Sequence, residues 1–161
     1  MRARLTLLVV GLFLGASCAD PAHEQAVDAL GPEAPGVSPG PLHRPGQACT
    51  TCHGGSGPGE PDFVIAGTVF TVRGSTTPLE GALVTVTDAT GAVRNLGSNA
   101  AGNFYMPKSS WAPTYPLHVQ VSLGAETQEM LTRIGRDGGC GSCHRGAGNA
   151  ERMPGVYLRN K

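Results

Sequence analysis

The sequence predicts a mainly β protein: one small Ig-like β-sandwich between two cysteine-bearing segments, preceded by a disordered tether. Three observations carry this reading. Residues 63–134 hold short runs of alternating apolar and polar side chains, separated by Gly, Pro and Asn turns. The pattern C-x-x-C-H stands at each end of that region, as Cys49-Thr50-Thr51-Cys52-His53 and as Cys140-Gly141-Ser142-Cys143-His144. Finally, 24 Gly and 13 Pro in 161 residues, with only 15% charged side chains, describe a loop-rich chain with one modest core.

From the N-terminus, residues 1–17 read as an export signal. Arg2 and Arg4 make its basic start, residues 5–14 its apolar stretch and Gly15-Ala16-Ser17 a small-residue cleavage site. The apolar stretch is too short to span a bilayer. Leu14-Gly15-Ala16-Ser17-Cys18 resembles a lipobox, which implies that Cys18 becomes the acylated N-terminus of a lipoprotein; simple cleavage is the alternative. Either route places the protein outside the cytoplasm, in the periplasm or at the outer membrane or cell surface. Residues 18–45 contain Pro32, Pro35, Pro39, Pro41 and Pro45 and no apolar period, as a tether would.

After the first cysteine segment, residues 46–61, the sandwich is expected over 62–135. Phe63 to Val72 is β-branched and aromatic, which predicts a strand buried on both faces. Ala82, Val84 and Val86 alternate with Leu83, Thr85 and Thr87, and Asp88 to Gly91 closes a hairpin with 92–96. Asn99 to Gly102 turns the chain into Phe104 and Met106, and Leu117, Val119, Val121 and Leu123 alternate with His118, Gln120 and Ser122. Six strands are expected, at 63–72, 80–88, 91–97, 103–106, 116–124 and 126–134. An even number of alternating strands returns the chain to its starting end, so the two cysteine segments, 46–61 and 136–161, should meet.

The stretch Ile65-Ala66-Gly67-Thr68-Val69, then Pro78-Leu79-Glu80-Gly81-Ala82-Leu83-Val84-Thr85-Val86, Gly91 and Gly102-Asn103-Phe104 resembles the carboxypeptidase regulatory-like domain. That resemblance implies a transthyretin-type β-sandwich serving as a binding or spacer module, without peptidase activity. The whole layout, from His43-x-Pro45-Gly46-Gln47-x-Cys49 through the sandwich to the second C-x-x-C-H, is similar to small exported bacterial proteins of cytochrome-like character.

C-x-x-C-H is the attachment pattern of c-type haem. Each Cys forms a thioether to a vinyl group, and the His ligates the iron once the segment curls into a helical turn. Both copies extend to C-x-x-C-H-x-G-x-G, through Gly55 and Gly57 and through Gly146 and Gly148. Cys49, Cys52, His53, Cys140, Cys143 and His144 are therefore the expected binding residues for two covalent haems. Two alternatives stand beside this: a zinc site built from both cysteine pairs, and a pair of disulfides in an oxidising compartment. Neither gives a reason for a His directly after each pair.

For the remaining iron positions, His43 lies six residues before Cys49 and is the expected distal ligand of the first site. Met130, ten residues before Cys140, is the expected ligand of the second. His23 is expected to be solvated in the tether and His118 exposed on its strand. Phe104 and Met106 are expected in the core. Trp111 and Tyr115, in a Pro-rich loop, are expected to cover either a haem edge or the open end of the sandwich.

The chain has 12 basic and 12 acidic residues; losing residues 1–17 removes two Arg and no acids, leaving 10 against 12. A mildly acidic surface without basic runs excludes nucleic acid as a partner. No H-E-x-x-H pair or nucleophile-elbow Ser supports a peptidase. The expectation is electron transfer by a lipid-anchored di-haem protein without turnover of its own, with envelope redox proteins and the membrane as partners. Peroxidase activity is the enzymatic alternative if one iron lacks a sixth protein ligand, and an anchored binding module is the non-redox one.

Overall fold

The computed structural model describes residues 20–33, 35–145 and 153–159. The export signal, Cys18, Gly146 and Gly148 lie outside them. Among the described residues, seven strands form two sheets. β1 (Phe63–Val72), β4 (Asn103–Pro107) and β7 (Val156–Arg159) make the smaller, in the order β4-β1-β7. β2 (Leu83–Thr87), β3 (Val93–Gly97), β5 (His118–Leu123) and β6 (Glu126–Glu129) make the larger, in the order β3-β2-β5-β6.

The core lies between these sheets. Ile65 and Val69 of β1, Phe104 of β4 and Leu158 of β7 meet Val84, Val86, Val119 and Val121 of the larger sheet. Each such side chain contributes about 1.5–3 kcal/mol relative to leaving it in water. The period-two pattern of Ala82, Val84 and Val86 and of Leu117, Val119 and Val121 places these residues inside, all at 6% exposure or less. Trp111 is also core, closing the sandwich, with Arg94 over its ring at 5.4 Å. Asp88 ties the β2–β3 turn by accepting from the N–H groups of Thr90, Ala92 and Thr114 and from the Thr90 hydroxyl. Those bonds, the Thr90 hydroxyl first, hold its carboxyl down to about 2.

β1 is buried along its first eight residues, as a strand covered on both faces must be. The cover on its outer side comes from the segments before and after the sandwich. Thr68 Oγ1 accepts from Gly46 N–H at 2.8 Å, and Ala66 N–H donates to Gly138 at 3.0 Å. On one edge of β1, residues 138–139 line the first half and β7, running parallel, lines the second.

Three expectations change. The sixth strand ends at Glu129, and only Ile134 rejoins the sheet, through a bridge to Leu117. A seventh strand, β7, follows the second cysteine segment. The presumed tether contains helix α1 (Pro21–Asp28), because Asp20 caps it by accepting from the N–H groups of Ala22 and His23 and Pro21 opens it. After α1 the chain is fastened to the sandwich: Asn99 and Asn103 donate to Pro41 O, and Asn103 also to His43 O.

Candidate functional site

Each C-x-x-C-H segment forms a short helical turn, α2 (Cys49–His53) and α3 (Cys140–Cys143), and both pack on β1. They also pack on each other, so the segments meet as the even strand count between them requires. In α2 the glycines after the histidine have visible work. Gly55 takes a left-handed φ of +92°, and a Cβ at Gly57 would strike the Cys52 carbonyl. The chain then doubles back, and Gly59 N–H donates to Cys52 O at 2.9 Å.

His53 is buried, at 8% exposure. Its ring stacks on Phe63 at 4.3 Å between centroids, and Phe63 stacks on Tyr105 at 4.9 Å. Gly59 approaches the ring so closely that a Cβ there would lie 2.8 Å from Cε1. Nδ1 of His53 is 2.9 Å from Pro61 O. A carbonyl only accepts, so this bond fixes the proton on Nδ1 and leaves the Nε2 lone pair free for a metal ion. His144 repeats the arrangement: its Nδ1 is 2.7 Å from Pro154 O. Two unrelated loops thus hold two histidines in the same tautomer.

A cavity of about 620 Å³ opens beside α2. Cys49, Cys52 and His53 form one wall, Phe63 and Tyr105 another, and Pro39, Gly40, Pro41, His43 and Arg44 a third. His43 lies in that third wall, its ring centre 5.9 Å from that of His53. The sequence had placed His43 in this site, and the structure brings it there. Its tautomer, however, is the opposite of His53's, because Gly40 N–H donates to His43 Nδ1 at 3.3 Å. Glu33 stands 3.9 Å from the same nitrogen and is itself held by Arg44 at 3.1 Å.

Met130 is not brought to the second motif. It packs against the sandwich core, its N–H bonded to Val119 O, because its side chain follows the apolar interior at the end of β6. The methionine beside His144 is Met153, which forms a parallel bridge with it and is 47% exposed. His118 pairs with Glu129 at 2.7 Å on the sheet surface. His23 is not solvated as expected: its Nε2 is buried without a hydrogen-bond partner, since α1 folds beside α2.

Cys49, Cys52, Cys140 and Cys143 are all free thiols. Burial raises the Cys49 thiol, and burial together with the nearby Cys49 pushes Cys140 up to about 12. Cys143 is exposed. Among the described residues no three His, Cys, Asp or Glu side chains converge on a metal-ion position, and no helix is long and apolar enough to cross a membrane.

Asn103, Thr68, Pro61 and Pro154 also shape the site and escaped sequence reading. Asn103 accepts from Thr68 Oγ1 at 2.7 Å while its amide holds the His43 backbone. The one available clue was Asn103 within Gly102-Asn103-Phe104; a proline carbonyl leaves no trace in residue type. Comparison of the chain with protein-family models, with curated proteins and with solved structures found no match.

Proposed function

We propose that this chain is an exported, lipid-anchored di-haem protein of c-type cytochrome character that transfers electrons in the cell envelope. One observation carries the reading: each C-x-x-C-H histidine is pinned through Nδ1 to a proline carbonyl, which leaves Nε2 as the nitrogen available to a metal. The same bond is made twice, by two independent loops, at the position directly after each cysteine pair.

Three further features support it. Both cysteine pairs sit on helical turns with their sulfurs unpaired, as thioether attachment requires. The cavity at α2 is within the size range of cofactor sites and carries Cys49, Cys52 and His53 on its wall. His43 and His53 face the same cavity with ring centres 5.9 Å apart, close enough for both to serve one bound group.

A bound haem supplies reversible one-electron chemistry at iron. The chain's residues do the rest. Cys49, Cys52, Cys140 and Cys143 would hold the two groups covalently, and His53 and His144 would be their ligands. Phe63, Tyr105 and residues 39–44 exclude water from the first site. For His43 to ligate through Nε2, its proton must move to Nδ1; the Gly40 contact then breaks and Glu33 becomes the acceptor. The sandwich is the carboxypeptidase regulatory-like spacer, Cys18 the lipid attachment point, and other envelope redox proteins the partners.

The test is the absorption spectrum of protein matured in a haem-attaching host. A Soret band that survives denaturation and acid–acetone extraction is expected. Colourless protein whose cysteines hold zinc or disulfides would instead leave an anchored β-sandwich binding module.

A further inference from the structure

Gly139-Cys140-Gly141 crosses Gln47–Thr50 in opposite directions. A Cβ on Gly141 would collide with Gln47 O and lie 2.9 Å from Ala48 Cα, and a Cβ on Gly139 would collide with Thr50 Oγ1. With 141 against 48 and 139 against 50, Cys140 falls opposite Cys49. The glycine on each side of Cys140 is what permits the approach.

A carboxylate locks the crossing. Asp137 accepts from Thr50 Oγ1–H at 3.3 Å in the first motif, and from Gly139 N–H at 2.8 Å and Ser142 Oγ–H at 3.1 Å in the second. The edge of β1 fixes the same turn from below, where Cys140 packs against Gly67. The attachment of one haem does not demand the Thr50–Asp137 bond or the glycine-permitted crossing; these join the two motifs, while the bonds to Gly139 and Ser142 hold the Asp137 carboxylate in place.

We propose that the two C-x-x-C-H segments are one bipartite site, which holds its two porphyrin groups as an electronically coupled pair joined where Cys49 faces Cys140. This rests on the di-haem reading above. Electrons enter at one half and leave from the other without crossing the sandwich, and Gly139, Gly141 and Asp137 are the positioning residues that set the spacing.

The holoprotein tests this by circular dichroism in the Soret region. A coupled pair gives two bands of opposite sign. Gly141→Ala and Asp137→Ala should keep two haems per chain and lose most of that couplet. Gly97→Ala, where a Cβ meets nothing within 4 Å, should leave it intact. Two haems without a couplet in the native chain, or a couplet unchanged in both junction variants, overturns the proposal. A second measurement does not depend on haem. In the full haem-free chain carrying Cys52→Ser and Cys143→Ser, copper-catalysed oxidation by oxygen should form an intramolecular Cys49–Cys140 bond, each thiol giving one proton and one electron to the oxidant. Failure to form that bond overturns the junction even if the variants do not load haem. Its formation in a chain whose native form stays colourless upholds the junction and removes the haem reading alone.

Discussion

The two C-x-x-C-H segments are near-copies in sequence and differ in setting. His53 is buried, stacked on Phe63 and roofed by residues 39–44, with a second imidazole across the cavity. His144 is half-buried, Cys143 is exposed, and the His144 backbone pairs with that of the exposed Met153. On the proposed reading the pentapeptide would supply the attachment points and one ligand. What surrounds it is decided by where it lands on β1: α2 has the arm and the aromatic residues of β1 and β4 about it, whereas α3 follows the turn that lines the strand's edge. Solvent exposure and axial ligand are levers on potential, so the twin motifs should serve unequal redox sites.

The largest contrast is expected from removing each histidine. His53→Ala should abolish the low-spin spectrum of one site and also cost the haem-free fold about 2–4 kcal/mol, because it empties the space between Phe63 and Gly59. His144→Ala should remove the other site's spectrum for less than about 1 kcal/mol, as a partly exposed ring fills little core. Denaturant titration of both variants decides this, and equal costs would break the contrast.

Thiol labelling sharpens it within one motif. In the haem-free chain at pH 8, Cys143 should alkylate about tenfold or more faster than Cys140, whose burial leaves little thiolate. The gap should close as pH rises toward the Cys140 value of about 12. Time-resolved peptide mass analysis reads both rates.

Gly59→Ala tests the packing around His53 alone. The added methyl meets the imidazole ring and should cost about 1–3 kcal/mol while shifting only one of the two haem spectra. The smallest spectral effect is expected from Asn103→Ala, which frees the His43 backbone and the Thr68 hydroxyl at about 1–2 kcal/mol. It should perturb the first site and leave the second unchanged, as checked by spectra of the two sites after selective reduction.

The sandwich was legible where period two is uninterrupted, at Ala82 to Val86 and Leu117 to Val121, and where Phe63 to Val72 carries no charged side chain and is dominated by β-branched and aromatic residues. The pairing of the two C-x-x-C-H segments was legible because the same pentapeptide stands at both ends of the sandwich, and the structure brings the two segments together on β1. β7 was not: four residues pairing in parallel with β1 leave no local pattern, since their partner lies some ninety residues away. α1 was hidden by its proline-rich surroundings, although the Asp20-Pro21 cap was there to be read. Met130 and Met153 are the same side chain in sequence terms; the fold sends one to the core and the other to His144. The His43 tautomer depends on a Gly40 N–H that no residue type announces.

The most direct measurement is the intact mass of the mature, exported protein under denaturing conditions, followed by alkylation. The account predicts a mass increased by two haem groups, with Cys49, Cys52, Cys140 and Cys143 all unreactive to the alkylating reagent. A bare polypeptide mass, with those four sulfurs alkylated or bridged to one another, would contradict it.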